Sequence, residues 1–133
     1  MTLRKKFHCV FDISYHFVFV TKYRRAVLGA AELEELGRIW QGLLADWGGE
    51  LVEFNGEKDH VHLLVRLPPT AAPSVVANNL KTVSSRLLRK RCPAVKQHYR
   101  EPVLWSRSYF VSSCGGAPLE VIKRYIQSQE RPA

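Results

Sequence analysis

Between residues 11 and 21 apolar and polar side chains alternate, and the segment is rich in aromatic and β-branched types. Phe11, Ile13, Tyr15, Phe17 and Phe19 fall on one face at the two-residue period of a strand. After Gly29 the period lengthens: Leu33, Leu36, Trp40, Leu43, Leu44 and Trp47 recur at helical spacing until Gly48 and Gly49 stop the helix. Residues 51–54 and 60–67 then read as two strands of a hairpin, with Asn55-Gly56 near the turn. Pro68 and Pro69 end the second of them. A second helix is expected over 74–90, with Ser74 as N-cap, Val76, Leu80, Val83 and Leu87 as its apolar stripe, and Pro93 as its stop. Residues 103–113 read as a last strand, Gly115-Gly116 as a flexible connection, and a final helix opens near Pro118.

The resulting order is β-α-β-β-α-β plus a terminal helix. It predicts an α+β, ferredoxin-like (RRM-like) antiparallel sheet with two helices on one face. No internal repeat, low-complexity tract or long linker divides the chain, so residues 1–133 are expected to form a single domain.

Composition narrows the function. Hydrophobic residues make up 46% and charged residues 24% of the chain, which suits a folded protein. No apolar run is long enough to span a membrane. His8, Asp12, Ser14 and His16 interrupt the segment after the basic N-terminus, so no signal peptide is expected. Cys9, Cys92 and Cys114 are odd in number and widely spaced, as in reduced cytosolic proteins. A cytoplasmic location is expected, at the nucleoid when the protein is bound to DNA. The net charge of +8 is uneven: residues 1–25 carry +5, residues 26–59 carry −6 and residues 60–133 carry +9. Such asymmetry suits a polyanion-binding face as well as a merely soluble basic surface. On the second helix Lys81, Arg86, Arg89, Lys90 and Arg91 are the expected DNA-binding residues.

Two patterns carry possible chemistry. His60 and His62 lie two apart in an apolar strand, so both imidazoles leave the same face. They can converge on one divalent ion, or they are simply polar residues on an exposed sheet face. On the terminal helix Leu119, Ile122 and Ile126 form an apolar stripe, while Tyr125 and Gln129 sit one turn apart on one face. Tyr125 reads either as rim packing or as a reactive group beside a glutamine, with basic residues Lys123 and Arg124 adjacent.

Four segments together resemble a known family. Residues 57–65, Glu-Lys-Asp-His-Val-His-Leu-Leu-Val, look like the histidine–hydrophobic–histidine segment of the single-tyrosine transposases carried by the smallest bacterial and archaeal insertion sequences. Residues 15–25 resemble that family's opening strand, residues 104–111 its fourth-strand motif, and residues 124–129 the segment bearing its nucleophile. The resemblance implies a homodimer and a divalent metal, magnesium or manganese, held by His60, His62 and Gln129, with Asp59 as additional metal or catalytic support. It implies that Tyr125 attacks single-stranded DNA beside a hairpin and forms a 5′-phosphotyrosine link. It also implies that the terminal helix of one subunit completes the site of its partner, docking on its own subunit being the alternative. Lys58 departs from the proline that many relatives carry there. The rival readings are a non-catalytic RRM-like module stacking bases on Phe17, Phe19 and Tyr109, a domesticated relative acting on chromosomal repeat hairpins, a rolling-circle initiator, and a structural metal site.

Overall fold

The computed structural model describes residues 4–6, 9–113 and 119–129. A short hairpin, β1 (Arg4–Lys6) with β2 (Cys9–Phe11), precedes the main sheet. That sheet holds β3 (Ser14–Val20), β4 (Glu50–Gly56), β5 (His60–Arg66) and β6 (Phe110–Ser113) in the order β4-β5-β3-β6, every pair antiparallel. With α1 (Ala30–Asp46) and α2 (Pro73–Arg91) between the strands, this is the ferredoxin-like arrangement. A four-residue helix, α3 (Pro93–Lys96), comes after α2, and α4 (Leu119–Ser128) is last. Among the described residues no helix is long and apolar enough to cross a membrane.

Alternation sorts the two faces of the sheet. Phe17 and Phe19 of β3 and Val61, Leu63 and Val65 of β5 point one way and are fully buried. They meet Leu36, Trp40 and Leu44 of α1 and Val76, Leu80 and Leu88 of α2 in one core. Phe17 and Phe19 are therefore core residues at 0% exposure and cannot stack on bases. On the other face Val18 and Val20 are covered by Ile126 of α4. Leu119 is the first residue of α4, and the expected start near Pro118, with Gly115, Gly116 and Cys114, lies outside the described residues.

Local chemistry sets the ends of the elements. The Glu32 carboxylate accepts the Gly29 amide at 2.9 Å and caps α1. Gly48 ends that helix at φ 78°, and a Cβ on Gly49 would come within 2.2 Å of the Arg66 carbonyl oxygen, so the close approach of β4 to β5 requires glycine there.

Several expected boundaries shift. The strand expected from residue 11 is broken: Phe11 belongs to β2 and β3 starts at Ser14. Asn55 and Gly56 pair with His62 and Val61 inside the hairpin, so the turn lies at residues 57–59. The N-cap of α2 is Ala72 and not Ser74, because Pro73 takes the first helical position, where its missing N–H costs nothing. Pro93 does not merely stop α2 but opens α3. Along α2 the buried stripe uses Ala77, Ser84 and Leu88 beside Val76 and Leu80, while Val83 and Leu87 are only partly buried. Ser84 earns its place by accepting the buried Trp105 indole N–H at 3.0 Å. The last strand shrinks from the expected 103–113 to Phe110–Ser113 plus an isolated bridge between Trp105 and Thr21.

Candidate active site

The pairing of β3 with β5 puts Val18 opposite His62 and Val20 opposite His60. Paired residues share a face, so both imidazoles lie on the side of the sheet that α4 covers, away from α1 and α2. Their ring centroids are 5.1 Å apart with planes at 78°. Each ring is held from its Nδ1 side. His60 Nδ1 lies 2.8 Å from Asp59 Oδ1, and His62 Nδ1 lies 3.3 Å from His16 Nε2. Asp59 in turn lies 3.6 Å from Arg24 Nε. Both Nε2 atoms are left out of these contacts.

Electrostatics keep His62 neutral. Burial pushes its pKa down to about 4, and the neighbouring His60 and His16 push the same way. Burial also lowers His16, opposed by the Glu53 carboxylate. Among the described residues no group of three histidine, cysteine or acidic side chains is arranged to hold a metal ion.

Tyr125 arrives on α4, with Gln129 directly after its last residue. The helix is held to the same face by Ile126 and by the Tyr125 ring, which packs 5.8 Å from that of Phe110. The described partner of Tyr125 and Gln129 is Ser108. The Ser108 hydroxyl lies 2.8 Å from the Tyr125 hydroxyl and donates to Gln129 Oε1 at 3.1 Å. A hydroxyl has one proton, so the Tyr125 phenol is the donor to Ser108 when Ser108 donates to Gln129. Burial raises the Tyr125 pKa and the Ser108 contact lowers it in part. The structure thus joins Tyr125 to Gln129, and His60 to His62, on one face. Among the described residues no hydrogen bond joins the two pairs.

The five expected DNA contacts separate. Lys81 is not available to a ligand: its ammonium donates to the carbonyls of Ser106 at 2.7 Å, Arg107 at 2.8 Å and Ser108 at 3.5 Å. Burial lowers its pKa to about 8. Through its contacts Lys81 ties the carbonyls of residues 106–108 to α2. Arg89 turns back to the Ser85 carbonyl at 3.1 Å, and Arg91 pairs with Glu35 at 2.6 Å. Arg86 and Lys90 are exposed and make no ion pair among the described residues. A groove of about 350 Å³ between α2 and residues 102–107 takes in Lys81, Ser85, Arg89 and Arg107.

Sequence reasoning missed His16, Arg24 and Ser108. His16 and Arg24 fall within the residues 15–25 segment and Ser108 within residues 104–111, so the signal was present without a role. Only the pairing of β3 with β5 and the docking of α4 bring them to the site.

The family described as "Transposase IS200 like" matches residues 9–129. The chain is 30% identical over 122 residues to the transposase for insertion sequence element IS200 of Salmonella typhimurium, covering 92% of this chain and 80% of that protein. It is 30% identical over 120 residues to the ISDra2 transposase TnpA of Deinococcus radiodurans, covering 90% and 86%. The crystal structure of a proposed transposase from Deinococcus radiodurans superposes with a TM-score of 0.85 at 29% identity, over 97% of this chain and 99% of the other. A REP-associated tyrosine transposase bound to a REP hairpin shares the fold, with a TM-score of 0.54 at 11% identity over 97% of this chain and 70% of that one.

Proposed function

This chain belongs to the IS200-like transposase family, and from that premise we propose that it cuts and rejoins single-stranded DNA at insertion-sequence ends with Tyr125 as nucleophile. The observation that carries this reading is the shared face: α4, bearing Tyr125, docks on the side of the sheet from which His60 and His62 emerge.

The donor set suits a divalent cation. Two imidazoles are oriented by Nδ1 contacts that leave Nε2 free, and His62 is neutral at physiological pH. His60 and His62 would hold magnesium or manganese, with Asp59 as support through His60. Gln129 is the third ligand in this reading, and its Oε1 must first leave Ser108. When bound, the cation supplies positive charge against the scissile phosphate.

The covalent step belongs to the protein. The Tyr125 oxygen attacks phosphorus, the bond to the 3′-oxygen breaks, and the phenolic proton ends on the released 3′-hydroxyl. The DNA is left on Tyr125 through a 5′-phosphotyrosine link. Another 3′-hydroxyl reverses the step on a new partner strand, so joining needs no nucleotide cofactor. Hairpins beside the cleavage site are the proposed recognition element.

A homodimer is part of this reading. In the single chain Ile126 seats on Val18 and Val20 of its own sheet, and the exchanged form would make that contact in a partner. Mixing His62→Ala with Tyr125→Phe subunits separates the two, because only exchange leaves one site whole. The metal reading is tested with His60→Ala and His62→Ala. Both should lose cleavage and weaken manganese binding by calorimetry, and chelator should silence the unaltered protein until divalent ion is restored. Full cleavage in excess chelator refutes the metal reading.

A further inference from the structure

Immediately after β3 the backbone passes through Tyr23 and Arg24 with φ of 60° and 52°. Side chains with a Cβ rarely adopt this left-handed region, and such strain collects at working sites. The turn sends its side chains in two directions. Arg24 reaches Asp59, the partner of His60. Tyr23 and Arg25 instead enter a groove of about 510 Å³ lined also by His98, Tyr99, Arg100 and Val103.

Inside the groove Arg25 lies against two aromatic rings that touch each other, the Tyr23 and Tyr99 centroids being 6.5 Å apart. Its guanidinium carbon lies 5.2 Å from the centroids of both Tyr23 and Tyr99, and it donates to the His98 carbonyl. Tyr99 is pinned by its own hydroxyl, which donates to the Lys22 carbonyl at 2.8 Å. Lys22 adds a second cation 5.3 Å from the Tyr23 ring. Arg25, His98 and Arg100 are exposed at the groove, and Glu101 is the carboxylate that lines it. Tyr99 belongs to the hydrophobic core at 8% exposure, whereas Tyr23 is half-buried at the edge of that core and Arg25 is exposed. Planar cations and aromatics on a basic surface are the means by which proteins hold unstacked bases and their phosphates.

We propose that this groove binds the single strand flanking the scissile phosphate, with a base against the Arg25–Tyr23 stack and a neighbouring phosphate on Arg100. The position favours it, since one turn links the groove to Asp59 and His60. The groove has room for a nucleotide rather than a duplex. This inference rests on the proposed reading of single-stranded DNA as substrate and adds where that strand lies.

The test compares binding of a short labelled oligothymidylate and of a duplex of equal length by fluorescence anisotropy. Arg25→Ala and Arg100→Ala should each lose at least about fivefold on the single strand, the low end of what one stacked base or phosphate contact contributes. Duplex affinity should hold within about twofold, the change expected where no contact is lost. Arg100→Ala alters an exposed side chain and keeps the test alive should Arg25→Ala unfold. Wild-type photocrosslinks from halogenated thymidylate should map to Tyr23. Unchanged single-strand affinity in Arg100→Ala, equal losses on both DNAs, or crosslinks confined elsewhere would overturn the proposal. Adduct formation at Tyr125 is scored separately. An adduct with normal binding by the groove variants refutes the groove alone, and selective loss of single-strand binding without any adduct refutes the chemistry alone.

Discussion

Replacing Lys81 by methionine keeps most of the aliphatic stem and removes the ammonium. Two carbonyl contacts, at 2.7 and 2.8 Å, are full hydrogen bonds, and the third, at 3.5 Å, contributes little. Each charge-assisted bond is worth about 1.5–3 kcal/mol. The side chain is half-buried, so water recovers part of that at the vacated carbonyls, and the expected loss is about 2 kcal/mol. Urea denaturation monitored by tryptophan fluorescence reads this directly, because Trp105 adjoins the affected segment. Residues 106–108 should also loosen and weaken the hold of Ser108 on Tyr125, slowing adduct formation. The competing view makes Lys81 a phosphate contact. It predicts unchanged stability and a binding-salt slope reduced by about 0.7–0.9, the counterion release of one phosphate. A Lys81→Met protein within about 0.5 kcal/mol of wild type, the usual range for an inconsequential surface change, with a reduced slope would refute the structural role.

Three further outcomes are expected. Because His62 is held down to about 4 in the fold against an ordinary 6.5, the unfolded chain takes up its proton first as the solution is acidified. Stability from this group is complete above pH 6.5 and is lost as pH falls toward 4, by about 1–2 kcal/mol after allowance for partial exposure. Melting temperatures across that window should fall less in His62→Gln. Ser108→Ala should raise the Tyr125 phenol pKa, since the Ser108 hydrogen bond lowers it, and slow adduct formation about fivefold, the equivalent of one hydrogen bond. Rescue by Ser108→Thr would distinguish positioning from damage to the fold. Trp105→Phe should cost about 1–2 kcal/mol in urea by removing the indole donor to buried Ser84, and an unchanged midpoint would contradict that account.

The four-stranded sheet and both long helices were legible in their order because alternation in residues 14–20 and 60–66 and the helical stripe before Gly48 are strong local signals, whereas the β1–β2 hairpin and α3 were not. Those signals also place His60 and His62 on one face. What stayed hidden depends on long-range partners. Lys81 looked like a solvent-facing cation, and nothing nearby in sequence announces that the Ser106–Ser108 carbonyls lie above it. Ser84 occupies a core position because Trp105, remote in the chain, needs an acceptor. His16 shares its parity with Val18 and Val20, but its contact with His62 exists only once β3 pairs with β5. The roles of Tyr125 and Gln129 came from family resemblance, whereas their meeting at Ser108 comes from the docking of α4.

The central claim is that Tyr125 takes DNA covalently. Single strands carrying the flanking repeats of the reading frame, labelled on the 3′ side of the cleavage point, should yield a denaturation-resistant adduct with wild-type protein and divalent ion. Mass spectrometry should place the nucleotide on the peptide containing Tyr125, and Tyr125→Phe should bind the same DNA without forming the adduct. An adduct persisting in Tyr125→Phe, or mapping to another residue, would contradict the account.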